Sequence, residues 1–173
     1  MGMHGMTWWS MVVAVSVATI TDLRSRRIPN WLVFPLMILG LLLCSWLRGW
    51  HGFEKSIEGF GLGLLIYGIL FAVGGMGMGD VKLVAAIGAW IGPGQLLIAL
   101  VITGIVGGMM ALCIAVWGGF LKEVMRGAVN VFLGWSKLGL RSHPELVLSN
   151  PREHKMPYAP AIAVGTLMSF FVR

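Results

Sequence analysis

The strongest constraint on the fold is a series of continuous apolar runs, each long enough to form a helix that crosses a membrane. Of the 173 residues, 57% are hydrophobic and 12% are charged, whereas a soluble domain carries about 25% charged residues. The runs lack the strict alternation of polar and apolar residues that an outer-membrane barrel requires. We therefore expect an all-α fold, a polytopic membrane helical bundle that forms one domain over residues 1–173.

The apolar runs predict about six transmembrane helices. They cover approximately residues 7–23, 31–47, 59–73, 81–91, 96–117 and 160–171. The mixed-charge segment Arg48–Glu58 predicts a loop, Ile91–Gln95 (I-G-P-G-Q) predicts a turn, and Asn30 is a candidate helix N-cap. Phe120–Leu140 differs from the runs, because its apolar residues recur at helical spacing with charged residues between them. It predicts one interfacial amphipathic helix on the cytoplasmic side.

The basic residues predict the orientation of the bundle. With six crossings, Arg48, Lys55 and Arg173 fall on one side and the other ten of the 13 Lys and Arg residues fall on the opposite side. The side richer in basic residues is expected to be cytoplasmic. The formal charge of +6 is thus interpreted as orientation signals and contacts with membrane lipids, and we expect no nucleic-acid partner.

The chain contains two aspartates, Asp22 and Asp80, and each lies at the end of an apolar run. By the parity of the crossings, both lie at the cytoplasmic end of the bundle. A carboxylate at a membrane border is costly and indicates a function. The structural alternatives are that Asp80 is a helix N-cap and that Asp22 neutralises the basic turn Arg24–Arg27.

Two carboxylates in one partly dehydrated site do not both ionise cheaply, so one keeps its proton while the other acts as a base toward water. This is the chemistry of an aspartic peptidase, and Asp22 and Asp80 are therefore the predicted catalytic residues. Cys44 and Cys113 lie in apolar sequence without a C-x-x-C spacing, and the four histidines are scattered. We accordingly expect no metal and no cofactor.

Three motifs carry a resemblance to a known family. Residues 77–82 (G-M-G-D-V-K) resemble the G-x-G-D motif of polytopic aspartic peptidases. Together with residues 22–30 (D-L-R-S-R-R-I-P-N) and 156–160 (M-P-Y-A-P), they resemble the type IV prepilin peptidase family, in particular its short members associated with Flp or tight-adherence pili. The resemblance implies that Asp22 and Asp80 are catalytic. As substrate-binding or supporting residues we expect Gly77, Gly79, Lys82, Pro157 and Tyr158.

The implied function is a membrane-embedded aspartic endopeptidase of the bacterial cytoplasmic (inner) membrane. It would remove the short basic leader peptide from prepilin or pseudopilin substrates at the cytoplasmic face. We do not expect N-methyltransferase activity, because the chain lacks the cysteine-bearing cytoplasmic region of the long family members. Two other classes stay open: a small ion- or proton-coupled transporter that uses Asp22 and Asp80, and a noncatalytic assembly subunit. A transport site is expected near the midplane, however, and an assembly subunit leaves the paired aspartates unexplained.

Overall fold

The computed structural model describes residues 3–25, 28–72, 76–119 and 158–172. These residues form four helices and no strand: α1 (Met3–Ser25), α2 (Asn30–Ala72), α3 (Met78–Trp117) and α4 (Ala159–Ser169). The predicted all-α class is confirmed for this part of the chain. The predicted amphipathic helix Phe120–Leu140 and the supporting residue Pro157 lie outside the described residues.

Helix α2 is interrupted at Gly49, whose backbone (φ 60°, ψ −146°) leaves helical geometry. A positive φ of this size is costly for residues other than glycine. On either side of this break, the Sγ of Cys44 and the Oγ of Ser56 both donate hydrogen bonds to the carbonyl oxygen of Ala89. The two halves of α2 therefore lie side by side. The prediction of a loop over Arg48–Glu58 is wrong, since the helix resumes directly after Gly49.

Helix α3 is interrupted at Gly92 (φ 76°, ψ 173°), which is followed by Pro93. This break lies within the turn predicted at Ile91–Gln95. Because proline has no N–H, the carbonyl of Ala89 four residues earlier loses its helical donor. The hydroxyl of Ser56, only 2% exposed, donates to that carbonyl instead. An unpaired carbonyl in lipid would cost several kcal/mol. The hydrogen bond from Ser56 avoids this cost at the break in α3.

Glycines bring α2 and α3 into backbone contact. A Cβ atom added to Gly59 would overlap the carbonyl oxygen of Gly88, and one added to Gly88 would overlap the carbonyl oxygen of Gly59. A Cβ atom on Gly63 would lie 3.0 Å from the Cα of Ala85. Close approach through small residues is the usual way in which helices pack in lipid. By contrast, Gly61 faces open space.

Helices α1 and α4 are antiparallel neighbours. At one end of the pair, the ring of Trp8 lies edge-on to the ring of Phe170, with 5.2 Å between the centroids. At the other end, Asp22 of α1 bonds to Ala159 of α4. The first turn of α4 is therefore held at the end of the bundle where α1 finishes.

The outer surface of the described helices is rich in large apolar side chains, including Leu42, Leu65 and Val101. Both α2 and α3 are long and apolar enough to cross a membrane. Such continuous exposed apolar surface is expected where a protein meets lipid. The chain divides into two compact units, residues 1–107 with 157–173 and residues 108–156. In the second unit, the described residues complete α3 and form a turn at Gly118 and Gly119.

Candidate active site

Asp22 is the one buried charged side chain among the described residues, with 6% of its surface exposed. Its Oδ2 atom accepts a hydrogen bond of 3.1 Å from the backbone N–H of Ala159. This amide belongs to the first turn of α4 and has no partner within the helix. The N-cap residue of α4, Tyr158, supplies no side-chain hydrogen bond there. Asp22 thus caps α4 from a different helix, at the positive end of the helix dipole.

The alternative explanation for Asp22 was charge neutralisation by the adjacent basic turn. Within the described residues, no ion pair involves Asp22, and Arg24 is exposed. Arg26 and Arg27 lie outside those residues. The partner that the structure gives to the Asp22 carboxylate is therefore a backbone amide of α4.

Asp80 lies in the first turn of α3 and is half-buried. The carbonyl oxygen of Gly77 accepts hydrogen bonds from the N–H groups of Asp80 (3.1 Å) and Val81 (3.4 Å). Gly77 therefore occupies the N-cap position, and the interpretation of Asp80 as the N-cap is wrong. A Cβ atom on Gly77 would lie 3.3 Å from the Oδ2 of Asp80, so the carboxylate folds back over the start of α3.

The structure brings the two aspartates to the same end of the bundle. They lie close enough for the charge on Asp22 to act on Asp80. Each carboxylate also lies at the first turn of a helix, Asp80 at that of α3 and Asp22 at that of α4. Two carboxyl groups placed near each other are the kind of arrangement that hydrolysis by an aspartic peptidase uses.

Tyr67 of α2 lies near this site and is not among the residues predicted from the sequence. Its side chain is 4% exposed, and Tyr158 and Asp80 lie close enough to act electrostatically on its hydroxyl group. The chain has two tyrosines, and both are at the site. A lone tyrosine in an otherwise apolar run is the signal that could have pointed to Tyr67, because a buried hydroxyl needs a polar neighbour.

The predicted supporting residues divide by what they contact. A Cβ atom on Gly79 would lie 3.2 Å from the Cβ of Ile28, so Gly79 lets the I-P-N turn pack on the start of α3. The Nζ atom of Lys82 donates to the Oδ1 of Asn30 at 3.3 Å and lies 5.5 Å from the ring centroid of Phe34. Lys82 therefore connects the start of α3 to the start of α2.

The start of α2 differs in one detail from the sequence expectation. The carbonyl oxygen of Pro29 accepts hydrogen bonds from the N–H groups of Leu32 (3.1 Å) and Val33 (3.4 Å). Pro29 therefore holds the N-cap position that was expected for Asn30. Asn30 is the first residue of the helix, and its side chain is free to accept from Lys82.

A cleft of about 450 Å³ lies between the end of α1 and the start of α2. Its walls combine polar and apolar side chains: Thr21, Ser25, Ile28, Pro29, Asn30 and Trp31. The cleft includes Thr21, the direct neighbour of Asp22. Within the described residues, no group of three or more His, Cys, Asp or Glu side chains could hold a metal ion. The expectation of a metal-free and cofactor-free site stays a prediction.

Comparison with known proteins identifies the family. Residues 9–112, which include Asp22 and Asp80, match the type IV leader peptidase family. A prepilin leader peptidase/N-methyltransferase of Aeromonas hydrophila is 34% identical over 114 residues, which cover 62% of this chain and 37% of that protein. The protein of the same name from Pectobacterium carotovorum subsp. carotovorum is 32% identical over 130 residues, 69% of this chain and 45% of that protein.

A more distant relative of the same name, from Neisseria gonorrhoeae, is 27% identical over 144 residues, 76% of this chain and 49% of that protein. No solved structure matches the chain. In each of these three relatives, the matched segment covers less than half of the protein. The family match itself extends over more than half of this chain, which confirms the resemblance seen in the sequence motifs. The chain belongs to the type IV leader peptidase family.

Proposed function

We propose that this protein is a membrane-embedded aspartic endopeptidase that removes the short basic leader from prepilin or pseudopilin proteins. The observation that carries this proposal is that Asp22 and Asp80, from separate helices of an apolar bundle, lie close enough for the charge on Asp22 to act on Asp80. Relatives named prepilin leader peptidases support the substrate class. Location at one end, rather than at mid-depth, also favours a peptidase over a transporter.

The proposed catalytic residues are Asp22 and Asp80, acting as a pair that shares one proton. The ionised carboxylate accepts a proton from a water molecule as the water oxygen attacks the scissile carbonyl. The protonated carboxyl group donates its proton to the carbonyl oxygen, which gives a gem-diol intermediate. The C–N bond then breaks as the carboxyl group that took the water proton gives it to the leaving amine and the other carboxylate accepts the hydroxyl proton of the gem-diol. In this scheme the amide of Ala159 fixes the Asp22 carboxylate, and the first turn of α3 fixes Asp80.

The proposed route for the substrate is the cleft between α1 and α2. An extended peptide can lie against its polar residues Thr21, Ser25 and Asn30, while Ile28 and Trp31 accept the apolar residues that follow the leader. The substrate must be extended at the cut, because water cannot reach a carbonyl bonded within a helix. Methyl transfer, the second activity in the relatives' names, is not part of this proposal.

The direct test is co-expression with candidate prepilins of the same organism, followed by N-terminal sequencing of the pilin. We expect the leader to be lost when the chain is present and retained when it is absent. The Aeromonas hydrophila relative is a suitable positive control for a cleavable substrate. If no candidate were processed by this chain while the control enzyme processed them, the proposed activity would be wrong.

The proposal includes six crossings, with the aspartates facing the cytoplasm of a bacterial inner membrane. In a background with Cys44 and Cys113 replaced by serine, Ser25→Cys should resist an impermeant thiol reagent added to spheroplasts, and His51→Cys should react. Both positions are exposed in the structure. Ser56, which lies on the same side of the bundle as His51, is a poor probe because it is buried. Labelling of position 25 but not 51 in intact spheroplasts would reverse the orientation; lysed spheroplasts should label both.

A further inference from the structure

Tyr158 lies directly on the backbone of Gly107 in α3. A Cβ atom at Gly107 would be 2.7 Å from the Oη of Tyr158, 2.9 Å from its Cζ and 3.0 Å from its Cε1. Cβ atoms essentially never approach other atoms below 3.0 Å. Any side chain at Gly107 therefore displaces the ring of Tyr158.

This contact is specific to one glycine of the helix. Gly104, one turn earlier, is exposed and has nothing within 4 Å of an added Cβ. Further along α4, a Cβ atom on Gly165 would overlap Thr103 of α3. Helix α4 and the residue before it thus contact α3 at two positions along its length. The contact between Tyr158 and Gly107 is the one nearer the candidate active site.

The peptide unit that follows Tyr158 is the one that binds Asp22. The N–H of Ala159 donates to the Oδ2 of Asp22 at 3.1 Å, and this amide moves with the backbone of Tyr158. Tyr158 and Asp80 also both lie close enough to Tyr67 to act electrostatically on its hydroxyl group. A displacement of Tyr158 that moves its backbone is therefore transmitted to Asp22 through a single peptide unit.

We propose that Gly107 and Tyr158 are positioning residues for the catalytic pair: Tyr158, lying on Gly107, fixes the first turn of α4 so that the Ala159 amide holds the Asp22 carboxylate. This inference rests on the proposed function for its effect on turnover, but the positioning itself can be measured without any substrate. Neither residue needs to touch the scissile bond. A shift of about 1 Å at a reacting group can cost roughly 100-fold in rate.

The first experiment measures hydrogen exchange of the segment Tyr158–Ile162 in the purified full-length protein. Gly107→Ala and Asp22→Ala should each raise exchange at this segment by about threefold or more, because the Ala159 amide loses its acceptor. Gly104→Ala should match the wild type. Unchanged exchange in Gly107→Ala, with raised exchange in Asp22→Ala, would overturn the proposal whether or not the protein cleaves a pilin.

The second experiment uses cleavage kinetics and a double-mutant cycle. Gly107→Ala should lower kcat about tenfold, with KM within about twofold of the wild type, because the substrate cleft is unaltered. Tyr158→Leu should lower kcat similarly, and adding Gly107→Ala to it should cost nothing more, since leucine lacks the atoms that meet Gly107. Independent effects that multiply, or a Gly107→Ala enzyme as active as Gly104→Ala, would contradict the positioning role.

Discussion

Asp22→Asn and Asp80→Asn are each expected to abolish prepilin cleavage, lowering the rate by roughly 1,000-fold or more, the scale of a lost acid or base. Asparagine keeps the size of aspartate but neither carries the negative charge nor exchanges a proton at neutral pH. At position 22 its amide oxygen can still accept the N–H of Ala159, so the first turn of α4 keeps its cap. The folded bundle should therefore survive while the chemistry is lost.

The controls for this prediction separate catalysis from structure. Glu54→Gln removes another carboxylate, one that is exposed near the Gly49 break, and should leave cleavage unchanged. Cleavage is followed as the mass change of the pilin over time, at matched amounts of membrane-inserted enzyme. If the aspartates only capped helices, each asparagine variant would keep its cap, its stability and its activity. Near-normal processing by either variant would remove the carboxylate pair from the mechanism.

The placement of both aspartates at one end of the bundle could be predicted from the sequence, because each lies at the end of an apolar run. The break at Gly92 and Pro93 was also predictable, since proline removes a helical donor whatever the tertiary context. The break at Gly49 was predicted too broadly, as a loop over Arg48–Glu58. Charged residues there suggested a loop, but exposed charged side chains are compatible with a helix that begins directly after one glycine.

The contacts that assemble the site were not predictable, because they join residues distant in the chain. The hydrogen bond from the N–H of Ala159 to Asp22 joins residues 137 positions apart, and no local sequence pattern indicates it. Lys82 was predicted to support the site, and its observed partner is Asn30 at the start of α2. Tyr67 was missed because a tyrosine in an apolar run indicates a buried polar neighbour but does not identify that neighbour as Asp80.

The glycines of α2 show most clearly that the sequence does not reveal which residues meet in the fold. Gly59, Gly61 and Gly63 share one apolar run, and composition alone does not tell which of them pack against another helix. In the structure, Gly59 and Gly63 contact α3, whereas Gly61 is exposed. The difference depends on which face of α2 meets α3, and this is set by tertiary contacts of residues such as Ser56 with Ala89.

Gly59→Ala is expected to destabilise the bundle by about 3 kcal/mol, at the upper end of the usual cost of overpacking. The added methyl group would overlap the carbonyl oxygen of Gly88, which is backbone and cannot rotate away. Relief requires α2 and α3 to separate, and this would also pull Ser56 from the carbonyl of Ala89. The carbonyl of Ala89 would then keep only the weak Sγ donor of Cys44 in an apolar environment.

Gly61→Ala is the matched control, because it adds the same methyl group two residues away, into open space. Alanine also favours a helix over glycine by about 0.5–1 kcal/mol, so this variant should be as stable as the wild type or slightly more stable. Thermal unfolding in detergent, followed by tryptophan fluorescence, compares the two variants directly. Equal Tm values for Gly59→Ala and Gly61→Ala would show that α2 and α3 do not meet at Gly59 and Gly88. A Gly88→Ala variant should resemble Gly59→Ala, because the same two backbones are forced apart from either side.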